Sequence, residues 1–321
     1  MTGRSLRGIS RAYGKGLGLR GLGVDVSIII VTYNVRAALG RCLATIPCSI
    51  GNLNAEVFVV DNGSNDGTWD SIAAREDLRA IRGSEELGFG RANNLAAAFA
   101  SGRWLLFLNP DTEAAPGSLQ QLVQCGDADP SLGVLGPRLE LSNGTLDPAA
   151  RRSFPTPFTA AMRMLRWPRR FLHTEVSAYN VTARAGREGA VDAVSGACML
   201  VRRNAFHQVD GFDGMFFTYG EDLDLAYSLR QAGWLARYVP SAVVRHLKRQ
   251  STQQRVIRAR YEFYRAMWLY YRKHRRGDPV WLKAVVTGGI FVLGSGAVSW
   301  QIVKRMITFF WSEARAHDVA H

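Results

Sequence analysis

Short apolar runs alternate with stretches of helical spacing along the N-terminal part of the chain. The apolar runs have the length and β-branched content of buried strands and lie at 26–31, 56–60, 78–81 and 104–108. Helical spacing falls between them, at 36–45, 68–74 and 91–100. Continuous apolar strands that alternate with helices are typical of a mostly parallel sheet covered on both faces, so the pattern predicts an α/β fold.

The pattern continues in a less regular form toward the C-terminus. It predicts a strand at 190–201, a helix from Glu221 onward and a last strand at 234–239. After about residue 250 the character changes, since 255–273 mixes arginines with tyrosines and tryptophan and 284–303 carries no formal charge. We therefore expect two helices there, the first amphipathic and the second apolar.

These changes divide the chain into three parts. The pattern predicts a flexible basic tail at 1–24, an α/β domain at 25–250 and a helical region at 251–321. Within the helical region, the uncharged run at 284–303 is long enough to cross one hydrocarbon core of ~30 Å, but its glycines, serines and threonine dilute its hydrophobicity. It is interpreted as membrane-associated or as a helix that packs on the catalytic domain or on a second copy of the chain.

Charge narrows the choice of partners. The net charge is +13, with eleven Arg or Lys residues between Arg245 and Arg276 and eight Arg residues in 151–187. Such patches attract anions, and anionic lipid or phosphorylated substrates fit better than nucleic acid, because no zinc-finger, RNA-binding or basic-zipper pattern is found in the sequence. The four cysteines have no metal or disulfide spacing, which is typical of a reducing compartment.

Polar clusters follow three of the predicted strands. They are Thr32, Tyr33 and Asn34 after the first strand, Asp61 and Asn62 after the second, and Asn109 with Asp111 after the fourth. Ligands bind such sheets at the carboxyl ends of the strands, so we expect these clusters to meet at one rim. A glycine run at 16–21 matches GxGxxG, but it precedes the first strand and is interpreted as chance within a glycine-rich tail.

Carboxylates at these positions suit distinct chemical tasks. Asp61 can hydrogen-bond a nucleobase or ribose, or can simply be a turn residue. Asp111 suits a hard divalent cation, with a helix cap or turn as the alternative. Glu221, Asp222 and Asp224 offer a general base, although acidic residues also favour a solvated helix start.

Six ordered motifs together resemble family 2 glycosyltransferases with the GT-A fold. The motifs lie at 26–34, 59–68, 88–94, 107–111, 195–200 and 211–230. Within that family they are most similar to the rhamnosyltransferase branch, which builds bacterial cell-surface polysaccharide or cell-wall linkers. The family's metal motif often has two acids, and here Asn109 stands at the first position, which is also similar to that branch.

The resemblance implies a role for each residue of the site. Asp222 would be the general base, with Glu221 as its rival. Asp111 and His246 would hold Mg²⁺ or Mn²⁺ beneath the diphosphate, although His246 could also be a core or capping residue. The donor nucleotide sugar would be held by the remaining residues of the motifs: Thr32, Tyr33, Asn34, Asp61, Asn62, Phe89, Arg91, Asn93 and Asn109.

The implied activity is an inverting, single-displacement transfer of a sugar onto a lipid-linked or cell-surface glycan. The expected donor is dTDP-L-rhamnose, with a UDP-sugar donor as one alternative and a non-catalytic sugar-nucleotide-binding protein as another. The expected location is the cytoplasmic face of the bacterial inner membrane, since the basic residues before 284–303 favour the inside. A homo-oligomer is left open.

Overall fold

A computed structural model of the chain describes residues 23–83, 86–156, 188–248 and 256–318, and describes side chains as far as residue 304. Most of the predicted basic tail, with its glycine run, lies outside the described residues. So does most of the basic stretch at 151–187.

A mixed sheet of nine strands forms the centre of the described fold, beside a small two-stranded sheet. The strands of the large sheet are β1 Val26–Thr32, β2 Ala55–Asp61, β3 Arg79–Arg82, β4 Trp104–Leu108, β5 Thr112–Ala114, β6 Leu132–Glu140, β8 Gly189–Val191, β10 Cys198–Arg202 and β11 Leu235–His246. The small sheet pairs β7, Arg151–Arg152, with β9, Ala193–Val194.

Helices cover the sheet and extend beyond it. They are α1 Arg36–Ile50, α2 Thr68–Ile72, α3 Phe89–Ala97, α4 Ser118–Ala128, α5 Arg203–Gln208, α6 Glu221–Gln231, α7 Val256–His274 and α8 Val280–Asp318. The four N-terminal strand predictions, the three helices between them and the helix from Glu221 are confirmed within a few residues at each end.

Strand order separates the sheet into two halves. The order is β3-β2-β1-β4-β10-β6-β11-β5, and the first four strands are parallel, as predicted. The second half is mixed, because β10 runs antiparallel to both β4 and β6. In the parallel half Thr32 pairs with Asp61, so the ends of β1 and β2 lie at the same level.

The prediction of a single strand at 190–201 is wrong, because the structure divides this segment into β8, β9 and β10. The Asp192 carboxylate accepts the backbone N–H of Phe154 at 3.0 Å, and the Gly196 N–H donates to Asp222 at 3.0 Å. These contacts draw the chain out of the sheet between Asp192 and Gly196. Apolar composition alone did not reveal the break.

Strand β6 was not predicted, because Gly133, Gly136 and Pro137 interrupt its apolar pattern. The glycines are required by close packing. A Cβ on Gly133 would lie 2.6 Å from Trp234, and one on Gly136 would lie 2.5 Å from Val194. The structure therefore places a strand where local propensity argues against one.

Two apolar layers hold the helices on the sheet. One layer packs α1 and α4, through residues such as Leu39 and Leu122, against the face that carries Ile28 and Trp104. The other packs α3, α5 and α6 against the opposite face, around Phe107. Burial on both faces explains why the central strands are apolar throughout.

Helices α7 and α8 form a hairpin that packs on the α/β domain. Gly294 of α8 approaches Tyr264 of α7 so closely that a Cβ would lie 3.1 Å from the tyrosine side chain. Ala266 and Leu269 of α7 join a third apolar cluster with Leu223 of α6. The segment Val280–Lys304 is long and apolar enough to cross a membrane, judged by length and composition. Of its apolar 18-residue stretch, 11% is buried in the structure.

Candidate active site

A cavity of about 820 Å³ opens at the carboxyl ends of the parallel strands, beside the start of α6. Most of the predicted site residues line it: Thr32, Tyr33, Asn62, Phe89, Asn109, Asp111, Glu221, Asp222 and His246. The strand ends therefore meet at one rim, as the sequence predicted. Asn34, Asp61, Arg91 and Asn93 do not belong to its lining.

Asn34 and Asp61 shape the loops behind the end of the cavity that Thr32 and Asn62 line. Asp61 is fully buried, and its carboxylate accepts the Ser64 N–H at 3.3 Å. The Ser64 hydroxyl oxygen accepts the Asn34 N–H at 2.9 Å, and the Asn34 side-chain oxygen accepts the Asn65 N–H at 2.7 Å. Direct contact of Asn34 and Asp61 with a nucleotide stays a prediction.

Helix α3 is braced against the loop before α6. Arg91 donates from Nε to the Gly214 carbonyl at 3.0 Å, and Asn93 donates to the Phe89 carbonyl at 2.9 Å within its own helix. Asn94, which was not predicted, bonds both the carbonyl and the N–H of Phe212, at 2.7 and 3.0 Å. Of the three predicted α3 residues, Phe89 is the one that faces the cavity.

Asp111 and His246 meet because two strands pair. Strand β5 pairs with the end of β11, and the Leu247 N–H donates to the Asp111 carbonyl at 2.9 Å. His246 Nε2 then lies 3.5 Å from Asp111 Oδ1, and His246 Nδ1 lies 3.2 Å from Asp147 Oδ2. Lys248 extends this row of contacts, because its ammonium group donates to Asp147 at 2.7 Å.

The charges among these neighbouring side chains shift the pKa values of Asp147 and His246. Burial alone would raise the pKa of Asp147, but hydrogen bonds from His246 and Lys248 outweigh it and lower that pKa to about 2. Burial alone would lower the pKa of His246, but the carboxylates of Asp111 and Asp147 outweigh it and raise that pKa above its ordinary value. Asp147 and Lys248 belong to no sequence motif, so only the folded structure reveals them.

The donor set suits a divalent cation that binds together with a phosphorylated substrate. Asp111 supplies carboxylate oxygens, and the contact of Asp147 with Nδ1 leaves Nε2 of His246 as the nitrogen that faces Asp111. Mg²⁺ and Mn²⁺ sites commonly use one or two protein carboxylates and complete the shell with phosphate oxygens. Within the described residues, no group of three or more His, Cys, Asp or Glu side chains forms a closed metal site.

Asp222 is held at the first turn of α6 by three donors. Its carboxylate pairs with the Arg152 guanidinium and accepts the N–H groups of Gly196 and Leu223 at 3.0 and 2.8 Å. Arg152 is fixed in turn by the Val194 carbonyl at 2.9 Å. The small sheet of β7 and β9 therefore positions Asp222, and sequence reasoning had assigned Arg152 no such role.

Glu221, its neighbour, lies in a different environment. It is buried at the cavity wall, and its Oε2 has no hydrogen-bond partner among the described residues. Burial and the adjacent carboxylate of Asp222 raise the pKa of Glu221 to about 8. Its surroundings therefore favour the protonated form of Glu221.

Asp224, the third acid of the cluster, faces away from the cavity toward α7. Its carboxylate accepts hydrogen bonds from Lys273 at 2.9 Å and His274 at 2.7 Å, and it is 1% exposed. Lys273 also reaches Asp213 at 2.7 Å. Asp224 therefore anchors the C-terminal hairpin to the helix that carries Asp222.

The C-terminal hairpin also forms one wall of the cavity. Phe263, Met267 and Tyr270 of α7 line it, together with Val286 and Ile290 of α8. The sequence pattern had predicted the helical region at 251–321 as a part separate from the α/β domain. The cavity thus has a polar floor at the strand ends and an apolar wall from the hairpin.

Comparison with known proteins identifies the family. Residues 24–264 match the model of the glycosyltransferase-like family 2, and the chain belongs to that family. It is 35% identical over 240 residues to the N-acetylglucosaminyl-diphospho-decaprenol L-rhamnosyltransferase of Mycobacterium tuberculosis (strain ATCC 25618 / H37Rv), covering 70% of this chain and 76% of that protein. It is 26% identical over 239 residues to the rhamnosyltransferase WbbL of Escherichia coli (strain K12), covering 67% of this chain and 81% of that protein.

Solved structures confirm the GT-A-like fold. The mannosyltransferase PcManGT from Pyrobaculum calidifontis, in complex with GDP-Man and Mn²⁺, aligns with a TM-score of 0.54 at 17% identity, over 92% of this chain and 81% of that one. GalNAc-T7 with UDP, GalNAc and Mn²⁺ also aligns with a TM-score of 0.54, at 15% identity, over 83% of this chain and 54% of that one. The protein is a glycosyltransferase-family chain that resembles the rhamnosyltransferase branch, as the motifs predicted.

Proposed function

We propose that the protein transfers a sugar, L-rhamnose from dTDP-L-rhamnose in the first instance, onto a lipid-linked glycan. One observation carries the proposal: the candidate metal pair Asp111 and His246 lines the same cavity as Glu221 and Asp222, beneath an apolar wall. The name of the mycobacterial relative, which contains a decaprenol diphosphate and an L-rhamnosyl group, supports this choice of donor and acceptor.

The polar floor of the cavity binds the donor in this account. Thr32, Tyr33 and Asn62 contact the nucleotide, and Phe89 lies beside them. Thr32 supports this role because its buried hydroxyl has no hydrogen-bond partner among the described residues. Asp111 and His246 would hold Mg²⁺ or Mn²⁺, and such an ion would supply positive charge for the diphosphate of the donor.

Asp222 accepts the proton of the acceptor hydroxyl. Arg152 and the Gly196 N–H fix its carboxylate at the cavity wall, which favours a base held in one orientation. Glu221 is less suited to this role, because burial and the neighbouring Asp222 raise its pKa and favour its protonated form. The acceptor oxygen then attacks the anomeric carbon in one displacement, which inverts its configuration, and no covalent enzyme intermediate is required.

The apolar wall receives the lipid side of the acceptor. Phe263 and Met267 of α7, with Ile290 of α8, offer a surface that a soluble glycan would not need. Helix α8 begins with the apolar segment Val280–Lys304, which supports a location at the bacterial inner membrane. The basic residues just before it, from Arg272 to Arg276, favour the cytoplasmic face.

A donor-by-acceptor screen tests the proposed function. Purified full-length protein with Mn²⁺ is supplied with dTDP, UDP and GDP sugars and with a polyprenyl-diphosphate-linked acceptor, and glycosylated product is measured by mass spectrometry. We expect product with dTDP-L-rhamnose, formed roughly 100-fold more slowly by the Asp222→Asn protein. Product from a UDP-sugar alone would overturn the donor assignment, and absence of product with every donor would overturn the activity.

A further inference from the structure

A second cavity of about 660 Å³ lies where the hairpin turns from α7 to α8. The last turns of α7 and the first turns of α8 line it, together with Asp213 and Met215 of the loop before α6. Among its lining residues, Tyr271 and Arg275 also line the catalytic cavity, so the two cavities are neighbours. We refer to it below as the elbow cavity.

The elbow cavity carries an excess of positive charge. Five cations line it: Arg272, Lys273, Arg275, Arg276 and Lys283. Lys273 is compensated by Asp213 and Asp224, and Arg275 by Asp278 at 3.4 Å. No carboxylate among the described residues lies within ion-pair distance of Arg272, Arg276 or Lys283.

A helix C-terminus attracts cations without any ligand, and this accounts for part of the cluster. Arg272 and Lys273 lie in the last turn of α7, where the helix dipole favours them. It does not account for Lys283, which belongs to α8 and donates to the Arg276 carbonyl at 2.6 Å. Three uncompensated cations from both arms of the hairpin around one cavity are typical of an anion site.

The surface beside the elbow cavity is apolar and faces outward. Val280 is 81% exposed and Trp281 is 66% exposed at the start of α8, and Val285 and Val292 continue this surface along the helix. Trp268 lies within the cavity lining, with the Arg272 guanidinium 4.9 Å from its ring centre. Tryptophan next to cations at the end of an apolar helix is the arrangement found at the headgroup level of bilayers.

From this juxtaposition we infer that the elbow cavity binds the headgroup of an anionic phospholipid. Arg272, Arg276 and Lys283 pair with its phosphate, and its acyl chains lie along the exposed face of α8. An amphiphile fits better than free phosphate, because it covers the apolar surface that begins at Val280 as well as the charges. The inference does not depend on which sugar the enzyme transfers.

Lipid binding to the full-length protein in non-ionic detergent tests this inference by native mass spectrometry. The probes are dioctanoyl phosphatidylglycerol, dioctanoyl phosphatidylcholine and inorganic phosphate. The test variant is Arg272→Gln/Arg276→Gln/Lys283→Gln. The matched control, Arg75→Gln/Arg79→Gln/Arg82→Gln, removes the same charge near strand β3, at the far edge of the sheet.

We expect wild type and control to bind phosphatidylglycerol at least about 10-fold more tightly than the test variant does, since each of the three cations attracts the anionic headgroup. Phosphatidylcholine should bind weakly to all three proteins. Should the test variant fail to fold, as judged by its thermal unfolding, Lys283→Glu alone should weaken phosphatidylglycerol binding.

Three results would overturn the inference. They are equal binding of the two lipids by wild type, equal phosphatidylglycerol binding by test variant and control, and inorganic phosphate binding as tightly as phosphatidylglycerol. The last result would identify the elbow cavity as a site for a phosphate ion and not for a lipid.

Discussion

Two adjacent acids at the start of α6 differ in their partners, and this difference supports the different roles proposed for them. Asp222 accepts three hydrogen bonds, whereas Oε2 of the buried Glu221 has no partner among the described side chains and backbone. Because neighbouring residues on a helix point in different directions, one substitution at a time can separate their contributions.

Asp222→Asn should lower kcat by roughly 100-fold, because an amide cannot take the acceptor proton. Donor affinity should stay near that of wild type, since the change keeps the shape and lies away from the nucleotide end of the cavity. The measurement is steady-state transfer at saturating donor, with the exposed Asp70→Asn on α2 as a control that keeps full activity. Full activity in Asp222→Asn with loss of activity in Glu221→Gln would show that Glu221, and not Asp222, is the general base.

Glu221 should make the stability of the fold depend on pH. Its pKa is raised from 4.5 to about 8, so between these values the folded protein holds a proton that the unfolded chain has released. The contribution of the Glu221 carboxyl to the free energy of unfolding is therefore fully present below about pH 4.5 and is lost as the pH rises through about 8. Raising the pH from 5 to 9 should destabilise wild type more than Glu221→Gln.

The expected difference is at least about 1 kcal/mol, or roughly 2–4 °C in Tm. It is measured by thermal unfolding at a series of pH values, with the exposed Glu76→Gln as a control that follows wild type. Identical pH dependence in wild type and Glu221→Gln would mean that the Glu221 carboxyl is ionised in the folded protein.

Single residues of the site were predictable where they follow a strand or begin a helix. Asp111 and Asp222 follow a strand and begin a helix, and the resemblance of the six ordered motifs decided between a functional role and a structural one. Arg152 and Asp147 were not found, because strand pairing between distant parts of the chain brings them to the cavity. Asp61 was placed at the correct strand end, but its burial behind the cavity depends on the packing of two loops.

At the scale of elements, the contact between α6 and α7 holds the hairpin wall of the cavity in place. Asp224 of α6 is 1% exposed and is paired with Lys273 and His274 of α7. Loss of this buried carboxylate leaves His274 without its partner and Lys273 with Asp213 alone, and this cost exceeds that of breaking a surface pair.

Asp224→Asn should lower the free energy of unfolding by about 2–4 kcal/mol, a range reduced from the buried-pair value because Lys273 is partly exposed. The measurement is urea unfolding. The exposed pair Arg75–Asp77 supplies the control, since Asp77→Asn should cost less than about 1 kcal/mol. Equal effects of the two substitutions would show that Asp224 does not anchor α7.

Local pattern sufficed for the parallel half of the sheet and failed for the mixed half. Strands β1, β2 and β4 are continuous apolar runs because both of their faces are buried. Strand β6 carries glycines that neighbouring side chains require, and 190–201 is broken by contacts with α6 and Phe154. In both cases the deciding contacts lie far away in sequence.

At the scale of the whole molecule, the hairpin connects the catalytic cavity with the apolar surface of α8. Helix α7 contributes to the cavity and to the core around Leu223, whereas α8 buries mainly the face that includes Ile290. The two helices should therefore respond differently to truncation.

Removal of α8, by ending the chain after Asp278, should release the protein from membranes while donor hydrolysis continues. The reason is that most of the exposed large apolar side chains belong to Val280–Lys304, while Asp224 keeps its partners on α7. The measurements are fractionation without detergent and release of nucleoside diphosphate. Full-length protein that is wholly soluble, or a truncated protein that stays with membranes, would contradict this expectation.

In the proposed mechanism the cavity transfers a sugar by one displacement with Asp222 as the base. The most direct test is the NMR spectrum of the glycan formed by full-length protein from dTDP-L-rhamnose, Mn²⁺ and a lipid-linked acceptor. The account predicts a new glycosidic bond whose anomeric configuration is opposite to that of the donor. A product that retains the donor configuration would contradict it.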